Sequence, residues 1–128
     1  MKPVTRKERD VVVIEPAGSL CEGWDASPLP GDVMSRFEGG DRRFLIDLSA
    51  VRLINFAGIG VLVALACQVA RAGGEFRISS VGERTQRALD HTGLGKVLEV
   101  YQTMEEGLRA FEGPVLGPSS GDRAPRVA

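Results

Sequence analysis

"RLINFAGIGVLVALACQ" (Arg52–Gln68) decides how this chain is read. Gly58 and Gly60 stand in G-x-G spacing, but Val63 occupies the third glycine position of a dinucleotide fingerprint. No Lys followed by Ser or Thr completes a phosphate-binding loop either. The run Phe56–Cys67 holds twelve residues without a polar side chain, and Gln68 and Arg71 close it. A membrane span needs about twenty apolar residues, so the run reads as a helix of a protein core and not as an inserted segment. The helix is expected from Gly58 to Arg71, with Gly73-Gly74 stopping it and Gly60 letting it lie close to a sheet. If Ile59, Leu62, Val63, Ala66 and Val69–Ala70 face that sheet, then Val61, Leu65 and Gln68 lie opposite. Val and Leu on an outer face imply either an apolar docking surface or cover by a neighbouring helix or loop.

Outward from this helix, strands and helices alternate. "VVVIEPAG" (Val11–Gly18) is a strand ended by Pro and Gly, with Pro3–Glu8 as its hairpin partner across Arg9-Asp10. "SPLPGDVMSRFEGG" reads as a helix capped by Ser27, with Pro28 at the first helical position and Val33, Met34 and Phe37 as its stripe. "FLIDL" (Phe44–Leu48) is nearly all apolar, as a strand covered on both faces should be. "FRISS" (Phe76–Ser80) and "VLEVY" (Val97–Tyr101) are the next strands. Ser80 with Glu83 predicts a capping box for a helix ending at Thr92-Gly93, and Thr103 with Glu106 predicts another. Leu108 and Phe111 would turn that last helix inward. Strands followed by helices imply right-handed crossovers. The expected fold is therefore an α/β sandwich with a mixed, mostly parallel sheet and about four helices. One domain over 1–112 is expected, with a Pro-, Gly- and Ser-rich disordered tail over 113–128.

The balance of 16 basic and 17 acidic side chains leaves a net charge of −1, which gives no field favouring nucleic acid or anionic lipid. Arg42-Arg43 and Arg84/Arg87 read as solvated surface pairs. Cys21 and Cys67 lie far apart without a nearby His, and His91 is the one histidine, so no metal site and no catalytic triad can be assembled. The polar start "MKPVTRKERD" has no signal-peptide core, which suggests reduced thiols and a cytoplasmic location. Glu22 and Asp25 share a loop, and Asp47 ends a strand. Asp47 could serve chemistry or cap a neighbouring turn, and the second reading needs nothing further. No nucleophile–base pair, catalytic residue or cofactor loop emerges, so the residues favour a binding module over an enzyme.

Four segments, in order, resemble the STAS family of sulphate transporter and anti-sigma factor antagonist domains. "GSLC" (Gly18–Cys21) matches its G-x-L-D, and "FLIDLSAV" (Phe44–Val51) its V-x-D-L-S-x-V. "LINFAGIGVL" (Leu53–Leu62) matches F-I-D-S-S-G-L-G-V-L, and "LDHTGLGKVLEVY" (Leu89–Tyr101) the L-x-x-T-G-L-x-x-L-F-x-I-Y segment. The resemblance covers roughly Val4 to Phe111 and is closest to bacterial single-domain antagonists.

In that family the second Ser of D-S-S-G is the phosphorylation switch. Here that position is Ala57, the preceding Ser is Phe56, the Asp is Asn55, and the Asp of G-x-L-D is Cys21. Ala57 has no hydroxyl to carry phosphate. A phosphate at a helix start on a docking surface adds nearly two negative charges, and a penalty of about 2–3 kcal/mol would weaken binding roughly 30- to 150-fold. Losing a Ser cap costs about 1 kcal/mol, which Asn55 could offset by reaching forward as the cap. Phe56 either anchors an interface or folds into the core. The resemblance thus implies a non-catalytic regulatory module whose partner surface comprises Asn55, Phe56, Ala57, Gly58, Val61, Leu65 and Cys21. Its partner would be an anti-sigma factor with a serine-kinase-like fold or another STAS protein, and a homodimer stays open. Control would lie in expression, in the partner, or at another hydroxyl such as Ser49, Ser79, Ser80 or Thr92. The alternative is a cytoplasmic accessory subunit of a lipid-type ABC transporter.

Overall fold

The computed structural model describes residues 4–24 and 27–111. Two strands open the chain, β1 (Val4–Glu8) and β2 (Val11–Glu15), followed by the short β3 (Gly18–Leu20). Helix α1 (Pro28–Glu38), β4 (Arg43–Asp47), β5 (Val51–Ile54) and helix α2 (Phe56–Arg71) come next. The chain then forms β6 (Glu75–Ser79), α3 (Glu83–Thr92), a 3-10 turn over Leu94–Lys96, β7 (Glu99–Tyr101) and α4 (Met104–Arg109).

Five strands form one sheet in the order β1-β2-β4-β6-β7. The β1–β2 hairpin is antiparallel and every other pairing is parallel, so the expected mixed, mostly parallel sheet with four helices is what forms. The central strands are buried on both faces, which explains the apolar runs Val11–Ile14 of β2 and Phe44–Ile46 of β4, while β6 alternates apolar and polar residues. On one face Val12, Ile14, Phe44, Ile46, Phe76 and Ile78 join the apolar sides of α1, α2 and α3 in the main core. On the other, Val11, Val13 and Leu45 meet Phe111 and the Met104 and Leu108 side chains of α4.

That second face also buries charge. Arg43 is 2% exposed, not solvated as its Arg-Arg pair suggests. It bonds Glu75 at 2.9 Å, Asp10 at 3.1 Å and the Phe111 carbonyl at 2.6 Å. Arg77 bonds Glu75 at 2.8 Å and Glu99 at 3.3 Å while its guanidinium lies 4.3 Å from the Phe111 ring centre. Alternation puts Arg43, Leu45 and Asp47 on one side of β4, and Glu75, Arg77 and Ser79 on the matching side of β6. In sequence such a side looks wet. Here Arg43, Glu75 and Arg77 meet opposite charges, which lets α4 and Phe111 close over them.

Several boundaries move. The last strand begins at Glu99, because Leu94–Lys96 coil into a 3-10 turn first. Gly93 ends α3 at φ 77, the left-handed stop its sequence predicts. The start of α3 differs from the expected capping box: its N-cap is Gly82, which makes no side-chain cap, and Ser80 turns away at φ 62. Ser27 and Thr103 do cap α1 and α4, accepting from the N–H of Leu29 and Glu106. Residues 113–128, where a tail is expected, lie outside the described residues, as does Asp25.

Candidate functional site

β3 and β5, which the sequence does not announce, form a separate parallel two-stranded sheet. They matter because β5 feeds directly into α2. Asn55 is extended at φ −117, and its side-chain oxygen accepts from the Gly58 N–H at 3.1 Å. It is thus the N-cap of α2, in the role open to it from sequence. The helix begins at Phe56 and not at Gly58, so Ala57 is its second residue. A hydroxyl at 57 would not have been the cap, and the cost attached to losing one does not arise.

The helix start is pressed against the end of β3. A Cβ built on Gly58 would stand 1.9 Å from the Leu20 carbonyl oxygen and 3.0 Å from the Ile54 side chain. Gly58, not Gly60, is therefore the glycine that permits close approach; a Cβ on Gly60 meets nothing within 4 Å. The same contact brings in the next residue after Leu20. Cys21 is half-buried, its thiol accepts from Ser19 Oγ at 3.2 Å and points toward the Leu53 carbonyl at 3.9 Å. Cys21 and Asn55–Gly58 are distant in sequence and share one end of the molecule.

Phe56 stands outward with 71% of its surface exposed, which removes the core reading of that ring. Ala57 is exposed beside it, and Leu53 just upstream is 55% exposed. Val61 and Leu65 are elsewhere. They are 2% and 0% exposed, inside the main core, so the expectation that they form part of a partner surface is corrected. The side of α2 carrying them is covered, while Ala70, assigned to the sheet, faces solvent and Val63 is half-buried. The error has a physical cause. A helix apolar all round carries no phase signal, so periodicity cannot say which side the neighbours cover.

Asp47 is fully buried at the end of β4. Its carboxylate accepts from Ser79 Oγ at 2.8 Å, Ser49 Oγ at 2.5 Å and Ser80 Oγ. The Ser49 N–H adds a longer bond at 3.4 Å. Burial opposes the charge, and the hydroxyls of Ser49, Ser80 and Ser79 more than offset it, so the pKa lies below its ordinary value. Asp47 therefore ties the turn after β4 to the loop after β6, which is the turn-capping role and more. A sequence signal existed in part: Asp47 and Ser79 each end a strand, and the structure sets them side by side in register. Ser79 is wholly buried, and Thr92 donates to the Ala88 carbonyl at 2.9 Å. Among the described residues no three His, Cys, Asp or Glu side chains gather to hold a metal ion. Among them, too, no helix is long and apolar enough to cross a membrane.

A protein of Thermotoga neapolitana that carries the provisional name of anti-sigma factor antagonist is 34% identical over 74 residues, 58% of this chain and 66% of that protein. Its Thermotoga maritima counterpart, similarly named, is 31% identical over 71 residues, 56% of this chain and 62% of the relative. The chain thus spans a little under two thirds of the length of these relatives. A crystal structure of an anti-sigma factor antagonist from Mycobacterium paratuberculosis superposes with a TM-score of 0.75 at 23% identity. That superposition covers 88% of this chain and 94% of the other, and it speaks for the fold. The STAS domain model matches residues 2–107, which takes in all seven strands and α1 to α3. With that match, and with the strand order and helix placement described above, this chain belongs to the STAS domain family.

Proposed function

We propose that this chain is a non-catalytic regulatory module that binds another protein through the end of the molecule formed by Cys21 and Asn55–Gly58. The observation that carries the reading is Phe56, a large ring held 71% in solvent at the first turn of a well-capped helix. Exposing such a ring is unfavourable unless something covers it, and aromatic anchors dominate many interfaces. Asn55 fixes the helix start, Gly58 fixes its distance from β3, and both thereby fix the direction of Phe56. The similarity to proteins named as anti-sigma factor antagonists supports an anti-sigma factor of serine-kinase-like fold, or another STAS protein, as the partner. Ala57 supplies no hydroxyl for phosphate. Binding at this face would then be constitutive, with control placed in expression, in the partner, or at another residue.

The test is affinity capture from the native cell with the wild-type chain and with Phe56→Asp, followed by titration of the recovered partner. Wild type should retain a soluble kinase-like or STAS partner, and Phe56→Ala should weaken it by about 2 kcal/mol, roughly 30-fold. Because the ring is exposed, stability should change by no more than about 0.5 kcal/mol. Equal capture by wild type and Phe56→Asp would refute the docking face. Recovery of a membrane-bound ATPase complex would instead favour the transporter-accessory reading.

A further inference from the structure

A trough of about 360 Å³ runs between β5 and the start of α3, lined by Val51, Arg52, Leu53 and Ile54 on one side and Gly82 to Thr85 on the other. Among the described residues β5 has a hydrogen-bonded neighbour on one edge only, β3, and no residue of β3 lines the trough. The trough therefore follows the open edge of a strand. Arg52 and Arg84 both line it, both are exposed, and among the described residues neither has an ion pair or side-chain hydrogen bond. The remaining charge in the lining, Glu83, is exposed and lies 3.4 Å from Arg87, so with Arg52 and Arg84 the lining is net positive. The first N–H groups of α3 have no side-chain cap, and their positive end is partly offset by Glu83 in the first turn.

We infer that this trough receives an acidic, extended segment of the partner protein, laid beside β5 as a third strand. An open strand edge offers main-chain hydrogen bonds to an extended peptide, and side-chain contacts then give selectivity. Carboxylates at alternate positions would meet Arg52 and Arg84, while apolar side chains between them would lie on Val51 and Leu53. The chain as a whole carries a net charge of −1, so this preference comes from local placement and not from a global field. The inference rests on the reading that the Asn55–Gly58 end docks a protein, to which β5 leads directly, and it names the chemistry of what docks beside it.

The test uses the full chain. Short random peptides displayed on phage are selected against it, and enriched sequences are synthesised and titrated into isotope-labelled protein by NMR. Enriched peptides should carry Asp or Glu alternating with apolar residues, and the shifted amides should centre on 51–54 and 82–85. Arg52→Glu combined with Arg84→Glu should weaken them about 10-fold or more, with added salt weakening the wild-type complex as well. An unchanged thermal melt of the double variant would show that the loss is not unfolding. Failure to enrich any peptide, enrichment of neutral or basic ones, or shifts centred elsewhere would each overturn the inference. If peptides behave as expected while Phe56→Asp still captures the partner, the Phe56 docking face falls and the trough stands. If Phe56→Asp abolishes capture but the peptides fail, the trough falls alone.

Discussion

At position 57 the side chain is a methyl group, and its surroundings decide what restoring a hydroxyl would do. A serine there would be the second residue of α2, with its N-cap already occupied by Asn55. Its neighbours would still be Phe56, Asn55 and Cys21 in place of the family's Ser and two Asp residues. Ala57→Ser is therefore expected not to be efficiently phosphorylated by a cognate kinase, which intact-mass spectrometry after incubation with ATP would check. Clean stoichiometric phosphorylation would show that the site has kept its function. One residue further on, Gly58 leaves no room for change. The obstacle to a Cβ is backbone at 1.9 Å, so β3 and α2 must separate. Gly58→Ala is expected to destabilise the fold by about 3 kcal/mol by urea denaturation, whereas Gly60→Ala, in open space on a helix, should be neutral or stabilising by up to about 1 kcal/mol.

Among the α-helices described, α4 is the shortest and has the most unusual task. Six residues form no stable helix alone, so α4 depends on what lies beneath it. Beneath are Leu45 and, through Phe111, the paired charges of β4 and β6. Removing one member leaves its partner buried and unmatched. Arg43→Ala should cost about 3–5 kcal/mol and loosen the end of α4 first, seen as faster amide exchange at Leu108–Phe111. Equal exchange throughout α4 in wild type and variant would count against this anchoring. Arg77, fully buried, holds its proton although burial opposes the charge, because Glu75 and Glu99 lie against it.

Across the whole molecule, Asp47 links two layers of loops, and its charge makes that link depend on pH. Its folded pKa is lowered, so the carboxylate stabilises the fold above its unfolded value, near 4, and this contribution fades as pH falls through the folded pKa. Asp47→Asn should therefore be less stable than wild type at pH 7, and the gap should narrow in acid below about pH 4. A constant gap from pH 7 to pH 3 would mean that shape, not charge, is the cause. If the loops that Asp47 holds also orient the docking end, partner affinity of Asp47→Asn should fall along with its stability.

Much of this was readable from the chain. The long strands "VVVIE", "FLID" and "FRIS", the α2 run and the glycine after Thr92 are local patterns that their surroundings reinforce. Asn55 as the cap of α2 followed from its position. The three-residue β3 and four-residue β5 were not legible, because strands that short exist only through their pairing with each other. Neither was the burial of Arg43 and Arg77, since a polar alternation looks identical whether water or opposite charge lies over it. The side of α2 that faces out was undetermined as well. Its residues from Phe56 to Cys67 are apolar all the way round, so the choice that buries Val61 and Leu65 and exposes Phe56 is made by the packing of α1, β5 and β6 around the helix. Periodic burial and local caps are written in the order of residues, whereas the contents of a surface depend on which distant segments arrive to cover it.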